Sequence, residues 1–149
     1  MQATTSWCEQ RFHYRFKDDI LLQTALTHRS HSVDNNERLE FLGDAALDLV
    51  ISELLYQSYS EQTEGYLSRM RSSLVKGNTL AELAKELDVG GYLILGKGEN
   101  TSGGRERLSL LSDALEAMIG AIFLDGGYVA VKNVIIKIFG SRIQALDPK

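Results

Sequence analysis

Asn36-Glu37-Arg38-Leu39-Glu40-Phe41-Leu42-Gly43-Asp44-Ala45-Ala46-Leu47-Asp48-Leu49-Val50 is the stretch on which the reading of this chain turns. Leu39, Leu42, Ala46, Leu49 and Val50 recur at steps of three and four, the spacing of one buried helical stripe. Glu40 and Asp44 are four apart and lie on one face, with Glu37 a further turn back. Like charges at this spacing oppose a helix by roughly 0.2–0.5 kcal/mol per pair, so something must offset them. Two readings stand. A cation is held between the carboxylates, or a solvated acidic edge lies at a helix N-terminus, where the macrodipole favours negative charge.

Working outward, the pattern is helical throughout. Trp7 and Phe12 anchor a first helix. Asp18 or Asp19 caps a short one whose apolar face is Ile20, Leu21, Leu22, Ala25 and Leu26. The polar run 27–36 reads as a loop, and the opening helix continues to about Tyr59. The next helix starts near Glu64 with Leu67, Met70, Leu74 and Val75 inward. Thr79 and Glu82 form a capping box for another, which stops at Gly90-Gly91. Tyr92–Gly96 reads as an extended link without a partner, and 97–107 as a mobile, basic loop. Two apolar helices follow, split by Gly126-Gly127. The last places Val131, Val134, Ile135, Ile138, Phe139 and Ile143 inward. The fold class is all-α, a single-domain bundle of about seven helices.

Composition agrees. The chain has 149 residues and is 44% hydrophobic, enough for one core. One cysteine, Cys8, excludes an internal disulfide and suits a reducing compartment. No signal peptide is seen, and the apolar stretch 117–124 is too short to cross a bilayer, so a cytoplasmic protein without a membrane partner is expected. The net charge of −4 argues mildly against nucleic acid. That argument fails where metal ions neutralise the acids, or where the basic residues share one face.

The helix from about Leu110 to Leu124 is apolar nearly all round. Before its end it carries two charges, Asp113 and Glu116, three apart and on one face. A core carboxylate must protonate, pair or bind a metal. Pairing with Arg38 or Arg69 is one solution. Meeting Glu40 and Asp44 across the bundle is the other. Four convergent carboxylates are hard oxygen ligands that suit Mg²⁺, or Mn²⁺ in its place. The histidines and Cys8 make no zinc pattern, and the Glu-x-x-His of di-iron bundles is missing. Phosphodiester hydrolysis is then the commonest chemistry. Arg69, Arg71, Lys76, Arg105 and Arg107 are candidates for holding backbone phosphates.

With these residues in view, the chain resembles the endonuclease domain of bacterial ribonuclease III, from about Phe12 to Phe139. The resemblance rests on Asn36–Asp44, on Ala25-Leu26-Thr27-His28-Arg29-Ser30, and on Gly65 with Ser68-Arg69-Met70-Arg71. Gly77-Asn78-Thr79-Leu80-Ala81, Ser112-Asp113-Ala114-Leu115-Glu116-Ala117 and Ile119-Gly120-Ala121 complete it. Ser112 stands where the family more often has alanine. The resemblance implies a homodimer that cuts both strands of double-stranded RNA with Mg²⁺, leaving 5′-phosphates, 3′-hydroxyls and short 3′ overhangs in the processing of rRNA and mRNA precursors. It implies Glu40, Asp44, Asp113 and Glu116 as the catalytic cluster. Glu40, Asp113 and Glu116 would ligate the metal, and Asp44 would orient water or a ligand. Glu37 and Glu64 match acidic positions lining the catalytic valley. Phe41 matches an aromatic that plugs the partner subunit, although its spacing alone also fits an ordinary core residue. The whole of 1–149 is expected to be the endonuclease domain, with 145–149 starting a linker to an absent double-stranded-RNA-binding domain. The competing expectation is a catalytically silent RNA-binding or scaffolding dimer of the same fold.

Overall fold

Seven α-helices organise the chain in the computed structural model, which describes residues 1–146. They are α1 (Gln2–Phe12), α2 (Asp19–Leu26), α3 (Glu37–Ser58), α4 (Glu64–Val75), α5 (Gly77–Glu86), α6 (Lys97–Thr101) and α7 (Leu108–Gln144). Short 3₁₀ turns cover Val89–Tyr92 and Gly104–Glu106. The all-α reading holds. The expected linker residues 147–149 lie outside the described part.

α7 is the hub. Its residues from Leu111 to Ile122 are buried except Asp113, and α3, α5 and α2 pack along it. Gly127, with φ 87° and ψ −176°, breaks α7 into two arms, at the glycine pair where the sequence divides two helices. By length and hydropathy α7 is apolar enough to cross a membrane, far longer than the stretch 117–124 considered from sequence. Half of its most apolar window is buried in the protein's own core.

Capping fixes several helix starts. The Asp18 carboxylate accepts the Ile20 N–H at 3.0 Å, and the Thr63 hydroxyl accepts the Tyr66 N–H at 3.3 Å. The expected capping box on α5 does not form. That helix begins three residues earlier, at Gly77 with Lys76 in the cap position, and the Thr79 hydroxyl donates back to the Ser73 carbonyl at 2.8 Å. Trp7 donates to the Leu87 carbonyl at 2.7 Å and stacks on Tyr92, which docks α1 on the end of α5.

Other sequence expectations need correction. Leu49 and Ile20 are exposed; the buried side of α3 is Leu39, Gly43, Leu47, Val50, Ile51 and Leu55. The link around Ile94 does have a partner. Its N–H donates to the Leu26 carbonyl and its carbonyl accepts from His28, making one isolated parallel bridge beside Thr27. A single bridge is too short to leave a periodic signal in sequence. The segment 97–107 is ordered as α6 and a 3₁₀ turn. Arg105 clasps it, donating to the carbonyls of Gly90 at 3.1 Å and Leu93 at 2.7 Å, and to Asn100.

Candidate metal centre

The site is set by how closely α3 approaches α7, and two glycines allow that approach. A Cβ on Gly43 would stand 1.7 Å from the Glu116 carbonyl oxygen; one on Gly120 would stand 2.2 Å from that of Leu39. Both obstacles are backbone, so the contact exists only because neither residue has a side chain. At this crossing Glu40 and Asp44 on α3 face Asp113 and Glu116 on the first arm of α7.

Asn36 sets the entry of α3. It is buried, its carboxamide donates to the Ala25 carbonyl at 3.1 Å, and its N–H donates to the Thr27 carbonyl at 2.9 Å. The start of the acidic helix is therefore tied to the end of α2.

Glu40, Asp113 and Glu116 each offer a carboxylate oxygen, and these oxygens lie within 4.8 Å of one another. Glu40 shares a hydrogen bond with Asp113, and Asp44 shares one with Glu116. Among the described residues no lysine or arginine forms an ion pair with any of the four. Pairing with Arg38 or Arg69 is thereby excluded as the means of neutralising Asp113 and Glu116. Burial, followed by the surrounding carboxylates, raises Glu116 to about 9 and Glu40 to about 7. Burial also raises Asp113, against a hydrogen bond from Glu40 and the nearby charge of His28. Without a cation the cluster must retain protons. Converging hard oxygens with no cationic partner fit a divalent, oxygen-preferring ion, which would displace those protons.

The other expected residues separate. Glu37 is close enough to raise Glu40 and also lies 3.9 Å from Arg29 across an exposed edge. Glu64 is exposed at the start of α4 and is not among the carboxylates that raise Glu40 or Glu116. Phe41 is 82% exposed, which rules out the core reading within this chain. Leu49 and Tyr56 are also exposed, at helical steps from Phe41 along α3, and continue an apolar stripe. Of the basic candidates, Arg71 donates to the Ser52 hydroxyl at 2.9 Å and Arg107 pairs with Glu99. Arg105 serves as the clasp described above. Arg69 lies over the Tyr66 ring, 4.7 Å from its centroid, and Lys76 is exposed. Arg71 and Arg105 are thus half-buried and held by these bonds, while Arg107 is exposed.

One acid was missed. Asp48 extends the series Glu40, Asp44 by another four residues, a spacing visible in the sequence. Its Oδ1 is buried without a hydrogen-bond partner among the described residues. Burial and then the Asp44 charge raise it, with Arg71 opposing.

The comparisons with known proteins agree with this geometry. Residues 18–142 match the family model described as Ribonuclease-III-like. A curated relative named Ribonuclease 3, from Nitrosococcus oceani, is 50% identical over 137 residues, covering 92% of this chain and 59% of that protein. The chain thus spans about three-fifths of that relative's length. A crystal structure of the nuclease domain of ribonuclease III from Campylobacter jejuni superposes with a TM-score of 0.89 at 43% identity, covering 95% of this chain and 97% of that one. Another structure of that domain, with a TM-score of 0.87 at 44% identity and covering 91% and 95%, concerns flexibility in a region involved in its dimer formation. A family-model match over most of the sequence, with a relative at half identity and solved structures of the same fold, means that this chain belongs to the ribonuclease-III-like family.

Proposed function

We propose that the chain is the catalytic part of a metal-dependent endoribonuclease that hydrolyses phosphodiester bonds in both strands of double-stranded RNA. The carrying observation is the meeting of Glu40, Asp113 and Glu116 within 4.8 Å at a crossing with no cationic partner. Mg²⁺ is the proposed ion, with Mn²⁺ a substitute. When bound, it supplies an activated water and charge stabilisation of the phosphoryl oxygens. Glu40, Asp113 and Glu116 would hold it, each giving up its proton or share of one. Asp44, hydrogen-bonded to Glu116, orients that carboxylate and is placed to accept a proton from water. Glu37 adds negative charge at the edge of the cluster. The products follow as 5′-phosphates and 3′-hydroxyls with short 3′ overhangs, in the processing of rRNA and mRNA precursors in the cytoplasm.

The active form is proposed to be a homodimer. The exposed stripe of Phe41, Leu49 and Tyr56 on the helix that carries Glu40 and Asp44 supports this, because a large apolar stripe in water needs cover. Residues 1–149 are read as the endonuclease unit, with duplex RNA held weakly and more tightly at low salt.

The test is incubation with a long RNA duplex in Mg²⁺ and in EDTA, beside Glu116→Gln. Metal-dependent cutting lost in Glu116→Gln, with the dimer intact, is expected. Turnover by that variant at the normal rate would sink the site assignment. Absence of cutting at every metal and salt concentration would favour a scaffold without chemistry.

A further inference from the structure

The imidazole of His28 is fixed in one tautomer beside the carboxylate cluster. Its backbone is pinned first. The His28 N–H donates to the Ile94 carbonyl at 2.9 Å, and the carbonyl of Thr27 before it accepts the Asn36 N–H at 2.9 Å. Arg29, the residue after it, lies 3.9 Å from Glu37 in the first turn of α3. His28 is therefore bracketed by contacts to the start of the helix that carries Glu40 a turn further on.

The ring is pinned as well. Nδ1 accepts the Ser30 backbone N–H at 3.1 Å, and the Ser30 hydroxyl lies 2.8 Å from the same nitrogen. A backbone amide can only donate. Nδ1 is thus an acceptor, and the neutral ring carries its proton on Nε2. The Ser30 hydroxyl in turn accepts the Gly96 N–H at 2.8 Å. Only glycine permits that approach, because a Cβ on Gly96 would stand 2.2 Å from the Ser30 carbonyl oxygen. One edge of this half-buried ring is consumed by Ser30. The other edge, Nε2–H, bonds nothing among the described residues.

Asp113 is the acceptor in reach. His28 is the one basic side chain whose charge lowers Asp113, and it does not act on Glu40 or Glu116. Its ring is not among the groups whose ligand atoms converge within 4.8 Å, so it is not itself a ligand of that set. Asp113 shares a hydrogen bond with Glu40. A bound divalent ion takes over the proton of such a bond. A carboxylate that ligates a metal is in turn oriented by a hydrogen-bond donor outside the site.

We propose that His28 is a positioning residue of the metal centre, whose Nε2–H donates to the Asp113 carboxylate and holds it in the orientation that binds the ion. Ser30 and Gly96 act through His28, by fixing its tautomer and its ring plane. This role rests on the metal reading above.

Two substitutions separate positioning from a merely structural role. In His28→Asn the carboxamide oxygen falls near Nδ1 and can still accept from Ser30, but the Nε2 donor is gone. In His28→Gln the carboxamide nitrogen falls near Nε2 and keeps that donor, but the Ser30 bond is lost. Thermal unfolding in EDTA should show His28→Asn as the more stable variant. Mg²⁺ affinity, read by calorimetric titration of the folded chain, should run the other way. His28→Asn should lose about 10–100-fold, and His28→Gln should stay near the parent value. Affinities that follow the order of stability, or an unchanged affinity in His28→Asn, overturn the positioning role and leave the metal reading intact. No Mg²⁺ binding by the parent chain defeats the metal reading and the role of His28 with it. The imidazole ¹⁵N signals of the parent give a readout without substitution. Nδ1 should appear unprotonated, and Nε2 should move as Mg²⁺ saturates while Nδ1 holds still. The opposite tautomer, or an Nε2 signal that does not move at saturation, overturns the proposal.

Discussion

Gly120→Ala tests whether the helix crossing makes the site. The added Cβ would stand 2.2 Å from the Leu39 carbonyl oxygen and 2.9 Å from the Gly43 nitrogen. Ordinary contact begins at 3.4 Å, so α3 and α7 must separate by about 1.2 Å or distort by as much. Neither obstacle is a side chain that can rotate away. Overpacking of this kind costs about 1–3 kcal/mol, and a clash with backbone belongs at the upper end, a fall in Tm of roughly 6–12 °C. The effect on the cluster is more specific. Metal sites tolerate ligand displacements of about 0.2 Å. Glu40 moves with α3, and Asp113 and Glu116 with α7, so the variant should lose its cation even where it still folds. The assay is thermal unfolding with and without Mg²⁺. An ion at about 100 times its Kd stabilises by about 2.7 kcal/mol, and this increment should vanish in Gly120→Ala. Gly140→Ala is the control, because its Cβ meets nothing within 4 Å; it should leave both readings unchanged or raise Tm slightly. An unaltered Tm in Gly120→Ala, with the full Mg²⁺ increment, would refute the reasoning.

Three further outcomes are expected. In EDTA, the folded state holds protons on Glu40 and Glu116 that the unfolded chain releases above about 4.5, so stability should decline as pH rises through about 7 toward about 9. Mg²⁺ should flatten that decline; a Tm in EDTA that climbs across this range contradicts the pKa assignments. Phe41→Ala should shift sedimentation at low concentration toward monomer, and an unchanged profile would remove Phe41 from the interface. Arg105→Met should cost about 1–3 kcal/mol by orphaning the Gly90 and Leu93 carbonyls, while leaving the salt slope of RNA binding untouched. A reduced slope would return Arg105 to the phosphate contacts.

Much of the site was legible because helical spacing is short-range. The pairs Glu40/Asp44 and Asp113/Glu116 announce shared faces from three- and four-residue steps. The apolar run around Asp113 and Glu116 announces a buried helix in which charge needs a reason. Asp48 obeyed the same rule and was still passed over, since only its burial distinguishes it from a solvated acid. The basic residues were least legible. Arg105 and Lys76 look alike in sequence, but one is consumed by carbonyls brought near by distant turns and the other is free of them.

The sequence by itself determined the all-α class, the division of helices at Gly126-Gly127 and the two acidic pairs, because each is written in local periodicity and backbone preference. Tertiary structure alone decided that the pairs meet. That depends on the absence of two side chains, at Gly43 and Gly120, whose effect exists only where one helix backbone touches another. It also decided the unpartnered Asp48 Oδ1 and the exposure of Phe41. A carboxylate oxygen's want of a partner and an aromatic's want of cover are properties of what surrounds them, and no spacing along the chain records that.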